Sequence, residues 1–391
     1  ARDRAHTMVD TMGASCTIDM VEDAPDTEIA RRIHGTFRVP LFLNGTDPTS
    51  MMESRLHRGA DGLPEAATTA AVPLVADIPN VVVDRIRDGS GGAGRLLSYG
   101  HGLFGSRFET SSGAIRRTVD ELAMVSIATD WWGMFEDDVG RVALTLTEFS
   151  NFDATGERLV QGMINIEIMV RSFREVCVGA PATDNPFYVV PTAGGAPVLA
   201  YDPDDRYYYG NSQGGIMGMT FAAISLEVER FVAGVTGVAY SVMIPRSSNW
   251  QTYGVIMRNG YRRFIDGALL MTMSQSLWDL AEPSTYVGHI VSDPLPCSLD
   301  ATRCPGGLTP PHHILVHIAV DDPQVANITA DMAVRTMGIP VLLPSPYEPY
   351  DVPTTAVSVP DAMVIFAIPG TPVLPLGTRD PGTETIAVVS G

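Results

Sequence analysis

Tyr207-Tyr208-Tyr209-Gly210-Asn211-Ser212-Gln213-Gly214-Gly215 sets an aromatic, strand-favouring run directly before a Gly-x-Ser-x-Gly turn. From Gly214 to Leu226 the pattern is that of an apolar helix, with small residues at Gly215, Gly218, Ala222 and Ala223. Strand, sharp turn, helix is the context in which a nucleophilic serine is presented. Such a turn strains the serine backbone, so its neighbours must be tiny for helix and strand to approach. The serine Oγ then stands above a sheet at a helix N-terminus, where N–H groups and the helix dipole favour developing negative charge.

The 391 residues are 45% hydrophobic and 18% charged, enough to bury a core as one large domain with insertions or as two ordinary ones. No uninterrupted apolar run reaches the ~18 residues of a membrane-spanning helix. A net charge of −19 argues against nucleic acid and against anionic membrane surfaces, both of which need clustered cations. Lysine is absent and all 26 basic side chains are arginine, which excludes Schiff-base, Walker-type and Ser-x-x-Lys chemistry. Cys297 and Cys304 bracket a short polar loop and predict a local disulfide, hence an oxidising, secreted or periplasmic setting. Cys16–Cys177 is a further pairing that four cysteines permit.

Outward from the serine, strand patterns occur at Thr36–Leu43 (with Pro40 pointing to a sheet edge), within Val72–Val83, at Arg95–Tyr99, Met124–Thr129, Phe231–Tyr240, His313–Val320 and Ala362–Ala367. Helical spacing appears at Ser111–Leu122 and twice between Val139 and Val176. Residues 1 to about 35 show no clear period. Alternating strands and helices predict an α/β fold, a mainly parallel sheet with helices on both faces. The Trp-, Tyr- and Met-rich stretch 246–307 reads as an insertion. The division is then an N-terminal extension with first edge strands (1–94), a core (95–245 and 308–391) and an inserted cap (246–307).

An acyl-transfer serine needs oxyanion donors, a base and a group orienting the base. His101-Gly102-Leu103-Phe104-Gly105 follows a strand and can aim the Leu103 N–H at the same point as the Gln213 N–H, with His101 buttressing the loop. His313 and His317, four apart on a strand, share a face but lack a third metal ligand. Trp131 and Trp132 either wall the acyl pocket or pack a loop. Trp250, Tyr253, Met271, Met273 and Trp278 either cover the serine or form a core of their own.

On Gly100-His101-Gly102-Leu103-Phe104-Gly105, Gly210-Asn211-Ser212-Gln213-Gly214-Gly215 and the strand order, the chain from about Arg95 to Gly370 resembles an α/β-hydrolase-fold serine esterase or lipase. The resemblance implies a Ser–acid–His triad and ester hydrolysis. The reaction expected is carboxylic-ester hydrolysis through an acyl-enzyme without metal or organic cofactor, and an apolar cap points to a small apolar acyl or aryl ester. The resemblance also implies an Asp-x-x-Val acid, matched by Asp322 to Val325, with Asp321 as the alternative. The rival readings are a peptidase or acyltransferase on the same site, and a non-catalytic hydrolase-like binding protein.

The base is missing from its expected place. In this fold the triad histidine follows the final strand, and no histidine occurs after His317. The Pro-, Gly- and Thr-rich tail from Pro369 to Gly391 offers no closing helix. The expectation is that the natural chain continues beyond Gly391 with both. The alternative is a rerouted site with His289 as substitute base.

Overall fold

The computed structural model describes residues 1–367, so the tail reading lies outside the described residues. The N-terminal stretch forms α1 (Arg2–Met12) and the exposed strand β1 (Cys16–Asp23), which pairs antiparallel with β2 (Ile29–Leu41). β1 corrects the edge reading of Pro40: β2 has a neighbour on each side. Pro40 lies past the last β1 pairing, at Phe37, so its missing N–H leaves that ladder intact. β3 (Thr68–Pro79) pairs antiparallel with β2 and stops at its proline; Val81 to Val83 turn instead into α2 (Asn80–Asp88).

Next come β4 (Gly94–Gly100), α3 (Gly113–Glu121), β5 (Met124–Thr129), α4 (Val139–Thr147) and the long α5 (Asp153–Arg174). A two-residue hairpin, β6 (Tyr188–Val189) with β7 (Val198–Leu199), leads into β8 (Tyr201–Asn211), α6 (Gln213–Ile224) and β9 (Arg230–Gly234). β9 is shorter than its apolar pattern because Val235 and Ala239 both adopt positive φ, which no strand continues through. The chain then leaves the sheet as α7 (Tyr240–Met243), α8 (Trp250–Gly260), α9 (Phe264–Met273) and α10 (Gln275–Trp278). It returns as β10 (His313–Ala319), followed by α11 (Asn327–Met337), β11 (Val341–Leu342), β12 (Thr354–Thr355) and β13 (Ala362–Phe366).

The sheet order is β1-β2-β3-β5-β4-β8-β9-β10-β13-β11-β12, antiparallel up to the β3–β5 pair and parallel from β5 onward. Setting β1 aside, the run from β2 to β13 is the strand order of the α/β-hydrolase fold. The period of two along each strand divides the core. Leu96, Val125, Ile127, Tyr208, Phe231 and Val316 face α5, α6 and α11 in the larger core. Leu97, Tyr99, Met124 and Ala128 face α3 in a smaller one, with Tyr207 and Tyr209 packed against it. Beyond these tyrosines the α3 face opens into a groove of about 860 Å³ floored in part by Leu315, His313 and His317.

α1 is docked by charge. His6 Nε2 lies 2.9 Å from Glu167 Oε1, Arg171 donates to the His6 carbonyl at 2.8 Å, and Asp10 takes both Arg171 and Arg303. Glu227 is buried beside this pair, with its Oε2 2.7 Å from Arg174 Nε. Two disulfides close the frame: Cys297–Cys304, and Cys16–Cys177, which ties β1 to the end of α5.

Candidate active site

The registers Tyr99↔Tyr209 and Gly100↔Gly210 align the C-terminal ends of β4 and β8, so the turns that follow them open at the same sheet edge. Ser212 sits in the second turn at φ 56°, ψ −118°, a conformation costly for a residue with a Cβ. It is held there from both sides. Its N–H donates to the Gly234 carbonyl at 2.9 Å, and its own carbonyl accepts the Ile216 N–H at 2.9 Å. A Cβ on Gly214 would collide with the Gly100 carbonyl, and one on Gly215 with that of Gly234. The two glycines let α6 start directly against the sheet.

The turn after β4 is fixed by its own hydrogen bonds. Glu109 accepts the Gly102 N–H at 3.0 Å and the Tyr99 hydroxyl at 2.8 Å. Phe104 N–H donates to the Met134 carbonyl and Gly105 N–H to that of Gly102, each at 3.0 Å. Among the described residues the Leu103 N–H has no protein acceptor, while its neighbours on both sides are taken. Gln213, the first residue of α6, belongs to the helical turn whose N–H groups have no intrahelical partner. Gly102 runs past the serine: a Cβ built there would be 3.8 Å from Ser212 Cβ.

His101 is fully buried. Its Nδ1 lies 2.8 Å from the Gly102 carbonyl, and its Nε2 accepts the Trp131 N–H at 2.8 Å. Burial holds its pKa below the usual imidazole value. Both ring nitrogens are spent on loop structure, so a neutral His101 buttresses the turn and is not free to take a proton.

Ser212 and Gln213 open into an apolar cavity of about 100 Å³. Leu103, Phe104 and Ile216 line it from the core, and Trp250, Tyr253, Met271 and Trp278 from the segment between β9 and β10. Gln324 and Val325, in the turn after β10, complete the wall. Trp131 and Trp132 do not line it; both are buried in the 130–138 loop, with the Arg158 guanidinium 4.6 Å over the Trp132 ring. Met273 is exposed and outside the wall.

Asp322 lies two residues from that wall, and its Oδ1 accepts the N–H groups of Gln324 and Val325 at 2.7 and 3.0 Å. Asp321 has φ 58°, and its N–H donates to Asn327. All eight histidines fall within the described residues, and none lines the cavity. His289 sits at the surface against Asp293. His312 is buried with Nε2 3.0 Å from the Ser225 carbonyl, its pKa pushed down to about 4 by burial. His313 reaches Asp361 at 3.3 Å, and the His317 ring lies on the groove face, tilted against Tyr209 and edge-on to Phe366. The sequence reading passed over Glu109 and Tyr240, whose distances from Ser212 along the chain hide their places around it.

No protein-family model and no curated protein matches this sequence. Among solved structures it is similar to the acetyl xylan esterase from Paenibacillus sp. R4, at 13% identity and TM-score 0.47, over 96% of this chain and 88% of that one. It is likewise similar to acetyl xylan esterase 1 from Thermoanaerobacterium sp. JW/SL YS485, at 12% identity and TM-score 0.48, over 96% and 86%. A third is the S-formylglutathione hydrolase from Agrobacterium tumefaciens, at 12% identity and TM-score 0.40, over 90% and 92%. At such scores these likenesses add nothing to the sheet order and turn geometry above, which are those of the α/β-hydrolase fold.

Proposed function

We propose that this chain is a serine carboxylic-ester hydrolase acting through an acyl-enzyme on Ser212. One observation carries the reading: a serine at positive φ opens into an apolar cavity beside two N–H groups, of Leu103 and Gln213, that no protein acceptor occupies among the described residues. Ser212 Oγ attacks the ester carbonyl carbon and passes its proton to water, the base at hand where no histidine lines the cavity. The tetrahedral oxyanion takes the two N–H groups, which are worth most where charge develops. Collapse expels the alcohol with a proton, and water then cleaves the acyl–Ser212 ester to the acid. Asp322 is the proposed orienting carboxylate, stretch 246–307 the cap, and a small apolar acyl or aryl ester the substrate. Two disulfides support a secreted or periplasmic setting.

The placement of the eight histidines favours a second reading, a hydrolase-like protein that binds its ligand without turning it over. Treatment with a fluorophosphonate followed by peptide mass spectrometry separates the two. An adduct on Ser212, absent from Ser212→Ala, supports the hydrolase; an unlabelled Ser212 with no ester turnover supports the binding protein.

A further inference from the structure

The cavity beside Ser212 is apolar, yet two of its wall residues hold hydrogen-bond donors with nothing to donate to. Among the described residues, Trp278 Nε1 and Gln213 Nε2 are each buried without a partner, in residues only 3% and 2% exposed. A buried donor left unpaired is costly, and native structures rarely keep one without a ligand or water to accept it.

The two donors belong to one cluster. The Tyr240 ring packs 4.5 Å from the Trp278 ring, and its hydroxyl donates to Gln213 Oε1 at 2.6 Å. That bond fixes the free end of the amide. With the amide reversed, the Tyr240 proton would have only Met217 Sδ, 3.9 Å away and a weak acceptor. Burial holds the Tyr240 hydroxyl in its protonated, donating form. Gln213 Nε2 is therefore the unspent group, next in sequence to Ser212. The wall includes no arginine or histidine, so nothing there would offset a carboxylate. Neutral donors buried in the wall of an apolar cavity match a neutral oxygen that reaches them as the wall side chains give way.

We propose that this cavity selects acyl groups carrying an ether, ketone or hydroxyl oxygen beyond the scissile carbonyl, read by Trp278 Nε1–H and Gln213 Nε2–H. The proposal rests on the esterase reading for the acyl chain's place, and the test keeps the two apart. The 391-residue chain is assayed with 4-nitrophenyl alkanoates and their oxa-analogues, matched in chain length, with the ether oxygen stepped along the chain. One oxygen position should raise kcat/KM about tenfold over the matched alkanoate, the worth of one good hydrogen bond. Trp278→Phe should bring that ratio close to one.

The second measurement needs neither turnover nor a variant that folds. The indole N–H signals of the four tryptophans are followed by NMR while the matched alkyl and oxa-alkyl N-butyl amides are added. A downfield shift of one indole signal with the oxa-alkyl amide alone supports the proposal, and so does a raised kcat/KM ratio. Equal kcat/KM along both ester series overturns the proposal and leaves the esterase reading standing. Without turnover the indole signals decide the donor pair, equal response to both amides overturning it, and an unlabelled Ser212 in addition overturns the esterase reading.

Discussion

The Trp131 N–H donates to His101 Nε2 at 2.8 Å, so the His101 proton sits on Nδ1, facing the Gly102 carbonyl. The strand that ends at Thr129 thereby holds the turn that follows β4. A single neutral imidazole couples two sheet ends and sets where the Leu103 N–H lies.

His101→Ala should slow ester turnover, or fluorophosphonate labelling of Ser212, by about 10²-fold, the usual cost of misplacing an oxyanion donor. Because burial lowers the His101 pKa from its usual value of 6.5, replacing it should remove no limb from the pH–rate profile between pH 7 and 9. Loss of a titration in that range would identify His101 as a base and refute the buttress role.

The glycines of α6 predict a stability contrast. Gly214→Ala forces its methyl against the Gly100 carbonyl, backbone against backbone, and should cost about 3 kcal/mol or more in a urea melt. Gly92→Ala meets nothing within 4 Å and should fall within ~0.5 kcal/mol of the parent. Equal midpoints for the two variants would contradict the close helix–sheet approach.

No histidine lines the cavity wall, so no imidazole stands there to move the serine proton. The chain's turnover should keep only a small part of the usual acceleration. Imidazole in solution should raise the rate more for this chain than for Ser212→Ala, which reports the uncatalysed contribution of the added base. Full activity without imidazole, abolished by His289→Ala, would show that His289 moves to Ser212 in solution.

Glu227 gives a pH dependence of stability. Burial, then the neighbouring Glu167 charge, pushes its pKa from 4.5 up to about 7. The folded chain therefore holds a proton that the unfolded chain has lost, and stability falls as pH rises from about 4.5 through about 7. Glu227→Gln should flatten that decline, gaining about 1–3 kcal/mol relative to the parent between pH 5 and 8. Thermal melts across that range test it; parallel curves would refute the raised pKa.

The two disulfides should differ in weight. Cys16–Cys177 spans 161 residues and Cys297–Cys304 only 7. Replacing the long-range pair with serines should cost about 5 kcal/mol and the local pair about 2 kcal/mol, by loop-closure entropy. Non-reducing peptide maps of freshly isolated protein should contain both linked pairs; free thiols at either would refute that bridge and weaken the oxidising-compartment reading.

What could be read along the chain was whatever depends on neighbours in sequence. The run Met124–Thr129 and the turn around Ser212 were legible because local propensity and tertiary demand coincide there: β-favouring residues in a buried parallel strand, and glycines where helix meets sheet. α1 and β1 were not, since α1 is mostly polar and is held by Glu167, Arg171 and Arg303, far away in sequence. Nor was the end of β9, where strand-favouring Val235 and then Ala239 take positive φ. The same holds for the site. Ser212 and the Gly102–Gly105 turn announce themselves through backbone requirements that only glycine-flanked residues meet. The roles of Glu109, Tyr240 and Trp278, and the exclusion of every histidine from the cavity, follow from which faces of the sheet and which loops meet in space. Only the packed fold decides those, because the side chains that meet there, such as Leu103 and Val325, come from parts of the chain far apart in sequence.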